Sequence, residues 1–133
     1  MTAIELSALL DAMPFARHCG VELVTATPEA VEGRLLWAQQ LCTANGRMHG
    51  GALMTLGDTV GAACGFLNLP DGASTTTIES KTNFMRALDK GAATAVGRPL
   101  HVGGRFIVVQ TTITDGDDRL VAQTTQTQAV LRS

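Results

Sequence analysis

Residues 50–69 read GGALMTLGDTVGAACGFLNL, a run in which Asp58 is the only charged side chain. Leu53, Leu56, Val60, Ala63, Cys64 and Leu67 recur at three- and four-residue spacings, so the run predicts a helix opening at His49 and ending near Leu67. It is apolar almost all round and must therefore be buried. A bilayer is one place to bury such a helix, but a carboxylate near its centre costs roughly 2.5–3.5 kcal/mol on insertion scales. The run also lacks basic or aromatic flanks. A helix inside a globular domain is the better reading.

Upstream, residues 4–12 predict a short amphipathic helix stopped near Pro14, so that residues 1–14 form a helical lead into the domain. Two strands follow at 21–27 and 30–37, joined at Thr27-Pro28-Glu29, and then a polar loop over 38–48. Downstream, Pro70 and Asp71-Gly72 end the long helix, and strands are expected at 75–84, 92–102, 105–114 and 119–131. The last three suit an antiparallel meander. The order α, β, β, long α, four β gives an α+β fold, a single antiparallel sheet wrapped around a long central helix. Ile107, Val109 and Ile113 alternate with Gln110, Thr112 and Thr114, so the Thr- and Gln-rich strand faces are expected at solvent or at a second interface.

With 133 residues, 45% hydrophobic and 17% charged, the chain is expected to form one domain over 1–133 and not to be disordered. A net charge of −2 and pI near 5.8 exclude a general nucleic-acid surface. The N-terminus has no basic region of a signal peptide, and Cys19, Cys42 and Cys64 form no CxxC pair, so a cytoplasmic protein with free thiols is expected. His18, His49 and His101 show no metal-ligand spacing, Ser74 sits in no GxSxG elbow, and Asp115, Asp117 and Asp118 fit a hairpin turn. No metal and no cofactor are expected.

Two features could carry chemistry. Asp58, isolated in an apolar helix, must be paired, protonated or facing a cavity, and suits a nucleophile or general base. His49-Gly50-Gly51 opens the same helix, where free N–H groups could polarise a carbonyl. Gly50 and Asp58 are eight residues apart, hence about 12 Å along one helix. That is too far for both to reach one carbonyl. Acting together, they must come from two chains related by a two-fold axis.

The stretch Gly46-Arg47-Met48-His49-Gly50-Gly51, with an acid nine residues after the His, resembles the signature of hot-dog-fold acyl-CoA thioesterases, nearest the phenylacetate-degradation type. Residues 77–86, from Thr77 to Arg86, resemble the following strand of that branch, and Gly91 and Gly104-Arg105 fit its later spacing. The likeness spans residues 15–131. It implies a CoA thioester as substrate and a homodimer with shared sites, further paired into a homotetramer. Asp58 would be the nucleophile or general base, Gly50 would supply the polarising N–H, His49 would shape the helix start, and Thr77 would bring a hydroxyl close to the acid. Many members carry Asn six residues before the His, where this chain has Thr43, a further candidate catalytic residue that would offer a hydroxyl in place of the amide. The acyl group would lie by Gly51, Leu53, Met54 and Phe66, and Arg86, Lys90, Arg98 and Arg105 would meet the CoA phosphates. A non-catalytic acyl-CoA-binding or regulatory domain on the same fold is the alternative; acyl-CoA hydration or dehydration would need a second acid–base residue, and none is evident.

Overall fold

A computed structural model describes residues 1–133. Thr2 and Glu5 form a reciprocal capping box that starts helix α1 (Ala3–Asp11). Pro14 does not simply stop this helix, as expected. It opens a second one, α2 (Pro14–Cys19), because proline's fixed φ and missing N–H suit the first helical turn. Gly20, at φ 90°, closes α2 in a left-handed conformation that favours glycine. The helical lead is therefore two helices reaching Cys19.

Six strands follow the predicted order: β1 (Glu22–Ala26), β2 (Val31–Leu36), β3 (Ser74–Phe84), β4 (Ala92–Val102), β5 (Phe106–Thr114) and β6 (Leu120–Leu131). They form one antiparallel sheet in the order β1-β2-β4-β5-β6-β3, with β4-β5-β6 as the expected meander. Helix α3 (Gly50–Leu67) lies across one face and touches all six strands. The core forms between them. Leu56, Val60 and Cys64 of α3 join Val31 and Leu35 of β2, Ala93 and Ala95 of β4, and Ile107, Val109 and Ile113 of β5. Each large aliphatic side chain buried there contributes about 1.5–3 kcal/mol relative to exposure.

On β5 the alternation holds, with Ile107, Val109 and Ile113 inside and Gln110, Thr112 and Thr114 less buried. On β6 the expectation is reversed. Thr124, Gln126 and Gln128 point at the helix and are completely buried or nearly so. Room for them comes from glycines. A Cβ on Gly57 would lie 2.8 Å from Thr124 Oγ1, one on Gly61 2.0 Å from Gln126 Oε1, and one on Gly65 2.9 Å from Gln128 Cγ. Four helical residues rise about 6.0 Å and two strand residues about 6.8 Å, so the two series stay in step.

Candidate active site

The loop before α3 is pinned at several points. His49 N–H donates to Leu41 O (2.8 Å), Met48 N–H to Leu88 O (2.7 Å), and the Trp37 indole N–H to Gly46 O (2.9 Å). This sets the helix start. His49 is its N-cap, and its Nδ1 accepts the Gly51 N–H at 2.7 Å. Such a contact needs a close approach: a Cβ on Gly51 would sit 2.9 Å from that same nitrogen. Ala52 and Leu53 N–H both donate to His49 O. Of the first four helical N–H groups, only that of Gly50 has no acceptor in the chain. A helix start with one unpaired, dipole-favoured donor is suited to a developing oxyanion.

Gly50 opens onto a cleft of about 350 Å³ shared with Thr43, Arg47, Leu53, Phe84 and Arg86. Asp58 opens onto a different one, of about 420 Å³, lined by Met13, Phe15, Met54, Thr55, Thr59 and Ser80 among others. Within one chain the donor and the carboxylate therefore face separate clefts. Asp58 is exposed at the mouth of its cleft, while its Oδ1 accepts from Gln126 Nε2 at 3.3 Å. Partial desolvation lifts its carboxyl above the usual aspartate range, and the Gln126 hydrogen bond pulls back against that. No cation pairs with it.

Residues 45–122, more than half the chain, match the family profile described as Thioesterase superfamily. The chain belongs to the thioesterase superfamily. It is 33% identical over 86 residues to the 1,4-dihydroxy-2-naphthoyl-CoA hydrolase of Escherichia coli, a match covering 65% of this chain and 63% of that one. A thioesterase from Haemophilus influenzae superposes with a TM-score of 0.91 at 23% identity, over 99% of this chain and 92% of its own. A hypothetical thioesterase protein of Streptococcus pneumoniae, solved with coenzyme A, superposes at 0.82 with 24% identity over 94% and 99% of the two chains. These likenesses establish the hot-dog fold, a sheet wrapped on one helix, and a hydrolase family.

In this member of the thioesterase superfamily the remaining residues singled out from sequence are scattered. Thr77 does not line the Asp58 cleft; its hydroxyl donates to Gln128 Oε1 at 2.6 Å, and Ser80 is the β3 hydroxyl at that cleft. Leu53 is buried beside Gly50, Met54 lines the Asp58 cleft, and Phe66 lines neither. Arg86 shares the Gly50 cleft, whereas Lys90 faces a separate depression with Asp89, Asp115 and Asp117, and Arg98 lies on the outer face of β4 and β5. Arg105 lines none of these three depressions. Arg47, the second cation of the Gly50 cleft, belongs to the signature stretch, but nothing in the sequence assigned it a role. Gln126 was also missed; the signal was Gly57, Gly61 and Gly65 at four-residue spacing, a stripe that makes room for something large.

Proposed function

We propose that the protein hydrolyses an acyl-CoA thioester to the free acid and CoA, with an aryl or a short to medium acyl group. The observation that carries this reading is the pairing of one free N–H, at Gly50, with one lone carboxylate, at Asp58, in a chain of the thioesterase superfamily. The two face different clefts, so a homodimer completes the site, with Gly50 of one subunit beside Asp58 of the other. The open edge of β3, eleven residues long, supports such a dimer as a strand-pairing surface; pairing of dimers into a tetramer is a further step of the same proposal.

In this site the Gly50 N–H polarises the thioester carbonyl. Asp58 attacks the carbonyl carbon or takes a proton from the attacking water. The C–S bond then breaks, and the sulfur leaves as a thiolate, an easy departure because free thiols have a pKa near about 8.5. Water supplies the oxygen and protons that yield acid and thiol. Arg47 and Arg86 line the Gly50 cleft, and their charge supports capture of an anionic CoA thioester there. The relatives' own names, a naphthoyl-CoA hydrolase and a structure with coenzyme A, support the CoA reading.

The test is thiol release from a panel of acyl-CoA thioesters by wild type and Asp58→Asn. Loss of an acting carboxylate is expected to lower kcat by about a hundredfold or more. Unchanged turnover in Asp58→Asn would remove Asp58 from the chemistry, and acyl-CoA binding without thiol release by wild type would make the domain a non-catalytic binder.

A further inference from the structure

Beneath Asp58 two buried amides, Gln126 and Gln128, join the hydroxyls of Thr75 and Thr77 in a line whose direction can be deduced group by group. Thr75 Oγ1 has one proton, and it goes to the Ala129 backbone carbonyl at 2.8 Å, an acceptor that cannot reverse. Toward Gln128, Thr75 must therefore accept, which places Gln128 Nε2 on it at 3.4 Å. Gln128 Oε1 is thereby turned the other way. It receives the Thr77 hydroxyl at 2.6 Å and Gln126 Nε2 at 3.3 Å. With its NH2 group fixed there, Gln126 has a second N–H, and this is the one on Asp58 Oδ1 at 3.3 Å.

The other end of Gln126 bears this out. Its Oε1 is buried with no hydrogen-bond partner and lies against the Gly61 backbone. An orphaned amide oxygen is destabilising. Rotating the amide would set that oxygen against the Asp58 carboxylate and against Gln128 Oε1, so the orphan is what remains once the N–H groups are held in place.

We propose that Gln126 is a positioning residue for Asp58: a directed hydrogen-bond chain starting at a backbone carbonyl locks its amide so that one N–H holds Asp58 Oδ1, leaving the second carboxylate oxygen for substrate or water. The inference rests on Asp58 being the acting carboxylate. Nothing else ionisable stands against Asp58 in the chain. The cleft lining carries no other acid or base, α3 has no other charge, and β6 has none. On α2, Arg17 turns to Asp11 and Ser7, and His18 lies against Phe15. On β3, Glu79 and Lys81 flank Ser80, and the strand's alternation points them to the opposite face. The proposed dimer would add His49 of the facing helix start.

The experiment measures thiol release against pH for wild type, Asp58→Asn, Gln126→Met, Gln126→Glu and Thr75→Val. In Gln126→Met the N–H is gone, and the acidic limb should rise by about one pH unit. Its plateau kcat should fall roughly tenfold with KM inside about twofold, the pattern of lost orientation and not of lost binding. Gln126→Glu places a second carboxyl on Asp58, and the limb should rise by about two units as the pair shares a proton. Thr75→Val, isosteric and only half-buried, frees the far end of the chain and should move the limb the same way by less. If Gln126→Met fails to fold, Thr75→Val decides. Limbs coinciding with wild type in the folded Gln126 and Thr75 variants, while Asp58→Asn is inactive, overturn the inference alone; an active Asp58→Asn overturns the reading of the site beneath it.

Discussion

Asp58 is exposed yet partly desolvated, and that has a thermodynamic sign. Its carboxyl is lifted above the ordinary aspartate value, with desolvation the larger cause. Between the ordinary aspartate value and the lifted one, the folded chain therefore holds a proton there that the unfolded chain has already released. Asp58 contributes stability that is fully present below the ordinary aspartate range and is lost as pH rises through the lifted value. Asp58→Asn should accordingly raise Tm slightly at neutral pH, a gain kept small by the exposure of the side chain, and the difference should vanish in acid. Thermal melts of both proteins across pH check this, and a mutant less stable at neutral pH would contradict it. Arg86 belongs to the same scale. It shares the Gly50 cleft with Arg47, so Arg86→Ala should raise KM roughly three- to tenfold for CoA thioesters. The same variant should leave KM unaltered for a truncated thioester without the phosphates.

At the scale of elements, α3 and β6 depend on each other. A glycine inside a helix is about 1 kcal/mol worse than alanine, so Gly61→Ala would be stabilising if only the helix mattered. Here the added Cβ meets a fully buried Gln126 at 2.0 Å. The balance reverses: Gly61→Ala should destabilise the fold by about 1–3 kcal/mol, measured by urea unfolding, and more than Gly57→Ala or Gly65→Ala, whose contacts are 2.8 and 2.9 Å. This pairing also shows what the sequence made legible. The run with one carboxylate announced a buried helix, and alternation on β5 announced an inside face, because apolar burial follows period and composition. Gln126 and Gln128 defeated the same rule: a glutamine on a strand reads as wet unless one knows which helix residues oppose it, and that register is a property of the packed pair. Pro14 was half legible: the first helix does stop short of it, but a proline that follows one helix is equally suited to begin another. His49, Gly50 and Asp58 could be found because each is odd for its place in a helix; Arg47 and Ser80 are ordinary residues for theirs, and only the fold gathers them at the clefts.

For the whole molecule, the sheet leaves β3 as a long unpaired edge, and its Ile78 is 58% exposed near the middle. The helix carries its free N–H and its carboxylate about 12 Å apart, in separate clefts. In the proposed site each chain would therefore supply two halves that it does not join itself. The direct test mixes two defective chains. Asp58→Asn removes the carboxylate, and Gly50→Pro removes the N–H at the helical position where proline is best tolerated. Each homodimer should be inactive. Unfolded together and refolded at equal concentration, random pairing makes half the dimers mixed, each with one of its two sites intact, so about a quarter of wild-type thiol release should return. If the mixture stays as inactive as its parents while size and circular dichroism show folded mixed dimers, Gly50 and Asp58 do not act on one substrate across the interface.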